Sequence, residues 1–393
     1  MNEQTTKFIL EFENADILQL ALYSKKYSEV DVKLAIRQIL GRQKIKSKVP
    51  RFYNSSKLLY PLQISLEQSS SEVTAIYKSE LCEGKTLADL TGGFGVDCCF
   101  LSSHFERVSY VERQLELCEL ANHNFKELCL ENIEVYNFET EKFLQEMNPV
   151  DWIYIDPARR SNIGKKVVLL SDCEPNISLL SSTLLQKSSN LMVKLSPMMD
   201  ISAAIKELPQ TNEVHIIAVD NECKEVVLII RQGLNKSLSI NTVNFQKNKI
   251  IQKFSFVVDD EYSAEVQYTS KPGKYIYEPN AAIMKSGAYK TISKIFEICK
   301  LHINTHLYTS DKLILEFPGR IFEVVKIWDN SKISMKTLSK QIPKANISTR
   351  NYPLSVEELR KKTKVKDGGE IYIFACTISN EDKVLIECNK VNV

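Results

Sequence analysis

The sequence predicts an α/β fold, a Rossmann-like parallel sheet closed by an antiparallel hairpin, and three observations carry that expectation. A short apolar strand, Leu87–Leu90, runs into the turn Thr91–Gly92–Gly93–Phe94–Gly95. A helix follows, and a second strand, Val108–Val111, ends on Glu112, 20 residues beyond Gly92. From about residue 84 to 233, strand-like apolar runs alternate with segments of helical spacing, the order that builds parallel strands joined by crossover helices. The last two runs, Val214–Val219 and Glu225–Arg231, stand only a few residues apart, too close for a crossover and right for a hairpin.

Taken in order, residues 1 to about 47 read as helical. Ala15–Lys26 and Val30–Ile45 carry apolar residues at helical spacing (Ile17, Leu18, Leu20 and Leu22; Val32, Leu34, Ile36, Ile39 and Leu40). Pro50 and Pro61 mark a linker, and Ser65–Lys78 gives a polar helix start followed by a short helix. Strands are expected at Leu87–Leu90, Val108–Val111, Ile133–Tyr136, Trp152–Ile155 and Leu191–Leu195, and the hairpin completes the sheet. Residues 236–318 are mixed, with strands around Lys249–Val258 and a helix at Ala288–Ile298; 319–393 alternates short strands and helices. The expected divisions are 1–80, 81–235, 236–318 and 319–393.

Composition narrows the class. The net charge is only +2, so the whole chain is no polycation. Ten cysteines lie scattered without a C-x-x-C pair, which argues against zinc and against a disulfide framework. Cys98 and Cys99 read as small core residues. Met1–Asn14 carries charges throughout and no apolar run reaches a membrane span, so a soluble cytoplasmic protein is expected. Charge is nevertheless uneven: residues 319–366 hold 12 Lys and Arg against 4 Asp and Glu, densest at Arg360–Lys366. Such a run is either a solvated face or a nucleic-acid footprint.

The turn decides which nucleoside the sheet edge suits. A dinucleotide fold uses G-x-G-x-x-G and aims a helix N-terminus at a pyrophosphate. Here the run is T-G-G-F-G, and Asp89 precedes it. An acid there repels phosphate but accepts hydrogen bonds from an ammonium group, while Glu112 can hold a ribose diol. S-adenosylmethionine (SAM) offers an ammonium, a ribose and an adenine, and no phosphate. Asp89, Gly92, Gly93, Phe94, Gly95 and Glu112 are therefore candidate cofactor residues. After the third strand, Asn137–Phe138–Glu139 is similar in position to the segment that reads adenine in class I methyltransferases, which implies Phe138 as an apolar wall and Glu139 as acceptor for the adenine amino group; a helix-capping acid is the alternative for Glu139.

Two sets of residues compete for the acceptor side. The fourth strand ends Asp156–Pro157–Ala158–Arg159–Arg160. It resembles the D-P-P-Y and N-P-P-Y tips of amino methyltransferases, where the acid holds the target amine so that its lone pair faces the methyl group. Ala158 replaces the second proline, and Arg159 replaces the stacking aromatic; an arginine can stack on a base or clamp a phosphate. The other set is similar to the Lys–Asp–Lys–Glu tetrad of ribose 2′-O-methyltransferases: Lys78, Asp156, Lys194 and Glu225, in which a lysine of lowered pKa takes the hydroxyl proton. In that set's absence, Lys78 and Lys194 would bind a carboxylate or phosphate. Pyrimidine C5 chemistry is disfavoured, because no cysteine stands beside Asp156–Pro157 or Lys194–Pro197, and Cys173 reads as structural.

Further motifs support a family resemblance: Leu66–Glu67–Gln68–Ser69–Ser70–Ser71, Asp89–Gly95, Asp156–Arg160, Tyr277–Glu278–Pro279–Asn280–Ala281–Ala282–Ile283, Leu307–Tyr308–Thr309–Ser310 and Phe317–Pro318–Gly319–Arg320. With these the chain resembles a bacterial family of class I SAM-dependent methyltransferases with a C-terminal ferredoxin-like segment and a THUMP-like domain. The resemblance implies methyl transfer to RNA (tRNA or rRNA), with SAM as cofactor and residues 319–393 as the RNA-docking part. A non-catalytic RNA-binding protein that has kept the fold is the alternative of another class, and the intact turn and Asp156–Pro157 speak against it.

Overall fold

The computed structural model describes residues 2–22, 27, 29–159, 169–234, 237–247 and 250–392. The chain forms two compact units, Met1–Asn212 with Glu225–Asn235, and Glu213–Lys224 with Lys236–Val393.

In the first unit, β1 (Thr86–Asp89), β2 (Arg107–Glu112), β3 (Ile133–Asn137) and β4 (Val150–Ile155) are followed by a two-residue ladder of β5 (Ala158–Arg159) with β6 (Cys173–Glu174), and then by β7 (Ser188–Leu195). Strands β3, β2, β1, β4 and β7 lie side by side in that order, all parallel. β8 (Glu213–Val219), which belongs to the second unit, is followed through Asp220 and Asn221, at φ 51° and 63°, the backbone of a tight two-residue turn, by β9 (Glu222–Arg231), whose residues from Glu225 on belong to the first. β9 runs antiparallel along β7, with Leu191 opposite Ile230. The α/β expectation therefore holds. The near-continuous apolar runs of β4 and β7 reflect burial on both faces: Trp152, Ile153, Tyr154 and Ile155 are all buried, as are Leu191, Met192 and Val193.

Because β1 sits between β2 and β4, the order reverses there, and the carboxyl ends of these strands open the crevice typical of such sheets. Asp89, Glu112, Asp156 and Lys194 stand at or just beyond strand ends on that one edge.

The N-terminal helices are Glu3–Glu11, capped by Asn2, Ile17–Leu22, and Val32–Lys48, capped by Asp31. They share a core of Phe8, Ile9, Leu20, Ala35 and Ile39. Residues Tyr23–Lys26 of the expected helix lie outside the described residues. Pro50 opens a helix, Pro50–Asn54, instead of marking a linker; at the first helical position its missing N–H costs nothing. The stretch expected as one helix start splits into Gln63–Gln68 and Glu72–Ser79, the second capped by Ser71.

In the second unit, β10 (Ser239–Phe245) runs parallel to β8 and antiparallel to β11 (Ile251–Val257); Lys249 lies outside the described residues. A seven-stranded sheet follows from β12 (Tyr275–Pro279), β13 (Cys299–His302), β14 (Thr305–Ser310), β15 (Gly319–Asp329), β16 (Lys344–Arg350), β17 (Lys366–Thr377) and β18 (Lys383–Lys390). Its order is β13-β14-β12-β15-β18-β17-β16, and only β16 and β17 pair in parallel. Two apolar clusters fill it, one around Phe322 and Phe374, the other around Trp328 and Leu359. The helix expected over 288–298 is instead Ala281–Ser286 and Thr291–Ile295, because Asn280 caps the first and Gly287, at φ 78°, ends it. Among the described residues no helix is long and apolar enough to cross a membrane.

Candidate active site

The glycine turn is held by main-chain bonds: the Gly92 N–H donates to the Val111 carbonyl at 2.9 Å, and the Gly95 N–H to the Gly92 carbonyl at 2.9 Å. The three glycines serve different ends. A Cβ on Gly92 would lie 2.2 Å from the Tyr110 ring, so Gly92 makes room for Tyr110, whose hydroxyl donates to the Gly93 carbonyl at 2.6 Å. Gly93 has φ 56° and nothing but its own turn, at 3.7 Å, where a Cβ would project. That is an open backbone face that a ligand can approach. Gly95, at φ 82°, starts the helix Val96–Leu101. Phe94 turns away from this face: its buried ring packs edge-on against Phe52 at 5.4 Å and beside Tyr60 at 6.1 Å. Only its backbone is left to face a cofactor.

Two carboxylates flank the turn. Glu112 accepts the Gly93 N–H at 3.0 Å through one oxygen and the Gln114 N–H at 2.8 Å through the other, which fixes its plane. Asp89 is 1% exposed. Among the described residues its carboxylate accepts one hydrogen bond, from the Thr91 N–H at 3.1 Å. Burial pushes its carboxyl well above the usual carboxylate range, and the Thr91 N–H only partly opposes this. A buried, under-coordinated acid beside an open glycine face fits a cationic ligand and disfavours an anionic one. Phe138 is exposed, 6.1 Å edge-on from Phe143, and Glu139 is exposed at the start of the helix Thr140–Glu146 without capping it through its side chain.

Across the edge, five charged side chains form a continuous chain of alternating sign. Glu225 accepts from Lys78 and, through its other oxygen, from the Thr74 hydroxyl at 2.8 Å. Lys78 reaches Asp97 at 2.9 Å; Lys194 reaches the other oxygen of Asp97 at 3.4 Å and Asp156 at 2.5 Å. The Ser70 hydroxyl donates to Asp97 at 2.7 Å and accepts from Lys78 at 2.7 Å and Lys194 at 3.2 Å, and the Tyr154 hydroxyl donates to Asp97 at 2.8 Å. The Asp156 N–H is fixed on the Thr91 hydroxyl at 2.6 Å, tying this chain to the glycine turn.

The charges are sorted by depth. Burial works against the Asp97 carboxylate, but Lys78 and Lys194 outweigh it and hold the group well below the ordinary range. Burial likewise opposes the Lys194 ammonium, and Asp156, Asp97 and Glu225 together raise its pKa above the usual lysine value. Asp156, at the open end with 33% of its side chain exposed, is raised by the partial burial of its carboxyl, with Lys194 opposing. The result is a rigid buried salt network ending in one accessible carboxylate. Pro157, next along, is buried. Arg159 is placed by its backbone in β5, and Arg160 lies outside the described residues.

The structure thus brings Lys78, Asp156, Lys194 and Glu225 into one network, and it adds Asp97, Ser70, Thr74 and Tyr154, which sequence reasoning missed. Asp97 looked like an ordinary acid in a first helical turn. Ser70 belongs to the Leu66–Ser71 motif, whose presence was the signal and whose purpose was not.

Parallel strands in this order, with a glycine turn after the first and a carboxylate after the second, define a methyltransferase fold. The chain belongs to the same family as the "putative methyltransferase" of Porphyromonas gingivalis W83: the two are 34% identical over 99% of this chain and 98% of the other, with a TM-score of 0.88. Residues 275–318 match a ferredoxin-like domain and residues 319–390 a THUMP domain-like model, so the two matched segments together build the seven-stranded sheet. An rRNA methylase from Streptococcus thermophilus is also similar, at 12% identity over 42% of this chain and 98% of that one, with a TM-score of 0.31; similarity at that level bears on neither substrate nor mechanism. No curated protein matches the chain.

Proposed function

We propose that this chain is a SAM-dependent RNA methyltransferase acting on an amino or ring nitrogen of a base. The observation that carries the reading is Asp156, an accessible carboxylate joined to the glycine turn through Thr91 and backed by Lys194 at 2.5 Å. Asp89, the open Gly93 face and Glu112 fit the ammonium, backbone approach and ribose of SAM, which when bound supplies a methyl group on a sulfonium. Asp156 accepts the N–H of the target, aims the nitrogen lone pair, and receives the proton released as nitrogen gains the methyl. Lys194 orients Asp156. The THUMP domain-like match and the basic stretch 319–366 support RNA as the substrate, with 81–235 as the transferring part and 319–393 as the docking part.

Ribose 2′-O transfer is the second reading, favoured by the union of Lys78, Asp156, Lys194 and Glu225 in one network. Against it, that network holds Lys194 protonated, and a base must shed its proton before it can take another. Lys194→Met separates the two: base methylation survives it, whereas 2′-O transfer collapses. Mass spectrometry of tRNA and rRNA nucleosides from a strain lacking the gene is expected to show one methylated base missing, restored by the wild-type chain and not by Asp156→Ala. Loss of a 2′-O-methyl nucleoside, or of none, overturns the base reading.

A further inference from the structure

Two of the motifs that carry the family resemblance, Tyr277–Asn280 and Phe317–Arg320, play no part in methyl transfer as derived above. In the second unit they are neighbours: β12 and β15 pair antiparallel with Glu278 opposite Arg320, and the Asn280 N–H donates to the Pro318 carbonyl at 3.1 Å. Gly319 is what permits this approach, since a Cβ there would lie 2.1 Å from the Glu278 carbonyl oxygen. The Tyr277 and Phe317 rings pack at 5.1 Å beneath.

The pairing buries Glu278 and gives it two cations. The Arg320 Nε donates to one carboxylate oxygen at 2.7 Å, and Arg350, from the end of β16, donates to the other at 2.8 Å. A single arginine neutralises a buried carboxylate, so the second is surplus. Both guanidinium side chains stay open, at 37% and 40% exposure, while Glu278 is at 5%. Each fork carries five donors. Arg350 spends one more on the Thr349 carbonyl at 3.3 Å, and donors on both forks remain for a ligand. The surroundings add positive charge. Lys300 is buried at 2% exposure, and His306 stacks on Tyr289 with ring centres 3.7 Å apart. Burial, Lys300 and Arg350 together push the His306 imidazole down to about 4, so it stands uncharged at neutral pH within reach of both cations. His306 Nδ1 is buried without a hydrogen-bond partner among the described residues.

We propose that Arg320 and Arg350, oriented by Glu278, form a clamp for a phosphate group, and that on the RNA reading above this group is a backbone phosphodiester. Two planar forks turned by one carboxylate present donors from two directions, which suits the several oxygens of a phosphate. The positive charge left over once Glu278 is neutralised favours an incoming anion. RNA enters as the polymer only through the proposed function; the phosphate chemistry comes from this cluster alone.

The test uses the full chain and fluorescence anisotropy of labelled tRNA and rRNA fragments across a salt series, with Arg350→Gln, which leaves Glu278 paired to Arg320, and Arg350→Lys, which keeps the charge and loses the fork. Arg350→Gln is expected to bind about tenfold more weakly and to lower the salt slope by about 0.7, with SAM affinity by calorimetry unchanged. Arg350→Lys should fall between. An unaltered affinity and slope in Arg350→Gln overturns the clamp and leaves an ion triad that merely fastens three strands. If the wild type binds no RNA, the RNA reading fails separately. Titration with 5′-AMP and inorganic phosphate then decides the clamp: binding lost in Arg350→Gln upholds it for a free phosphate ester, and no binding by the wild type ends it.

Discussion

On the proposed function, Asp89 is a side chain that works against the fold while serving a ligand. Its carboxyl is buried and its pKa raised, so the folded chain holds that proton more tightly than the unfolded chain does. Stability from this group is full at low pH and is lost as pH rises through its folded pKa. Asp89→Asn keeps the shape and removes that penalty. The unliganded variant is expected to melt a few degrees higher, at about 2–4 °C for each kcal/mol regained, while SAM affinity falls at least tenfold; calorimetry and thermal melts measure both. A variant that melts lower with SAM binding intact would remove Asp89 from the cofactor side. Asp156 makes a kinetic counterpart. If Asp156 is the carboxylate that accepts the target N–H, it must be ionised, and burial raises its pKa. The acid limb of the kcat–pH profile therefore lies above the usual carboxylate range, with rate rising as pH rises. Lys194→Met, which removes the opposing cation, is expected to move that limb higher still. A limb that stays in place means Asp156 does not govern it. Asp89, Glu112 and Asp156 were legible because each ends a readable strand. Asp97 was not, because an acid in a first helical turn is common and only the fold shows that Lys78 and Lys194 converge on it.

At the scale of elements, the turn between β1 and the next helix sets one glycine that packs beside one whose backbone face is open. A Cβ added at Gly92 would meet the Tyr110 ring at 2.2 Å, whereas one added at Gly93, at φ 56°, would meet nothing nearer than 3.7 Å. Gly92→Ala is expected to cost about 3 kcal/mol or more, because the ring it meets is itself fully buried. Gly93→Ala should cost only about 1–2 kcal/mol for its left-handed backbone, yet weaken SAM binding the more strongly of the two once folded protein is compared. Denaturant unfolding and calorimetry test the contrast, and equal effects on both properties would erase it. A sequence pattern shows three glycines and cannot say which is which. Strands β4 and β7 were readable because burial on both faces leaves continuous apolar runs. The two short helices at 281–286 and 291–295 were harder to read, since their ends depend on Asn280 and Gly287 more than on periodicity.

Over the whole molecule, charge is a matter of distribution: a net of +2 conceals the 12-to-4 excess of basic residues in 319–366. The structure divides that excess into spent and unspent charge. Arg360 donates to Asp367 at 2.5 Å and to the Ala345 carbonyl at 3.2 Å, fastening the helix Val356–Thr363 to the sheet. Lys361, Lys362, Lys364 and Lys366 are exposed. The run read as one basic patch in sequence is thus four solvated ammonium groups beside one structural arginine, a distinction that spacing along the chain does not encode. If this surface docks RNA, replacing Lys361, Lys362 and Lys364 with glutamine flattens the salt dependence of binding by about 0.7 for each phosphate no longer neutralised, and the melting temperature stays put because surface substitutions change stability little. Arg360→Ala should do the reverse, lowering the melting temperature while the slope per bound chain persists. A triple variant whose salt slope matches the wild type would make the lysines an ordinary solvated face and place any RNA docking on other cations of the unit.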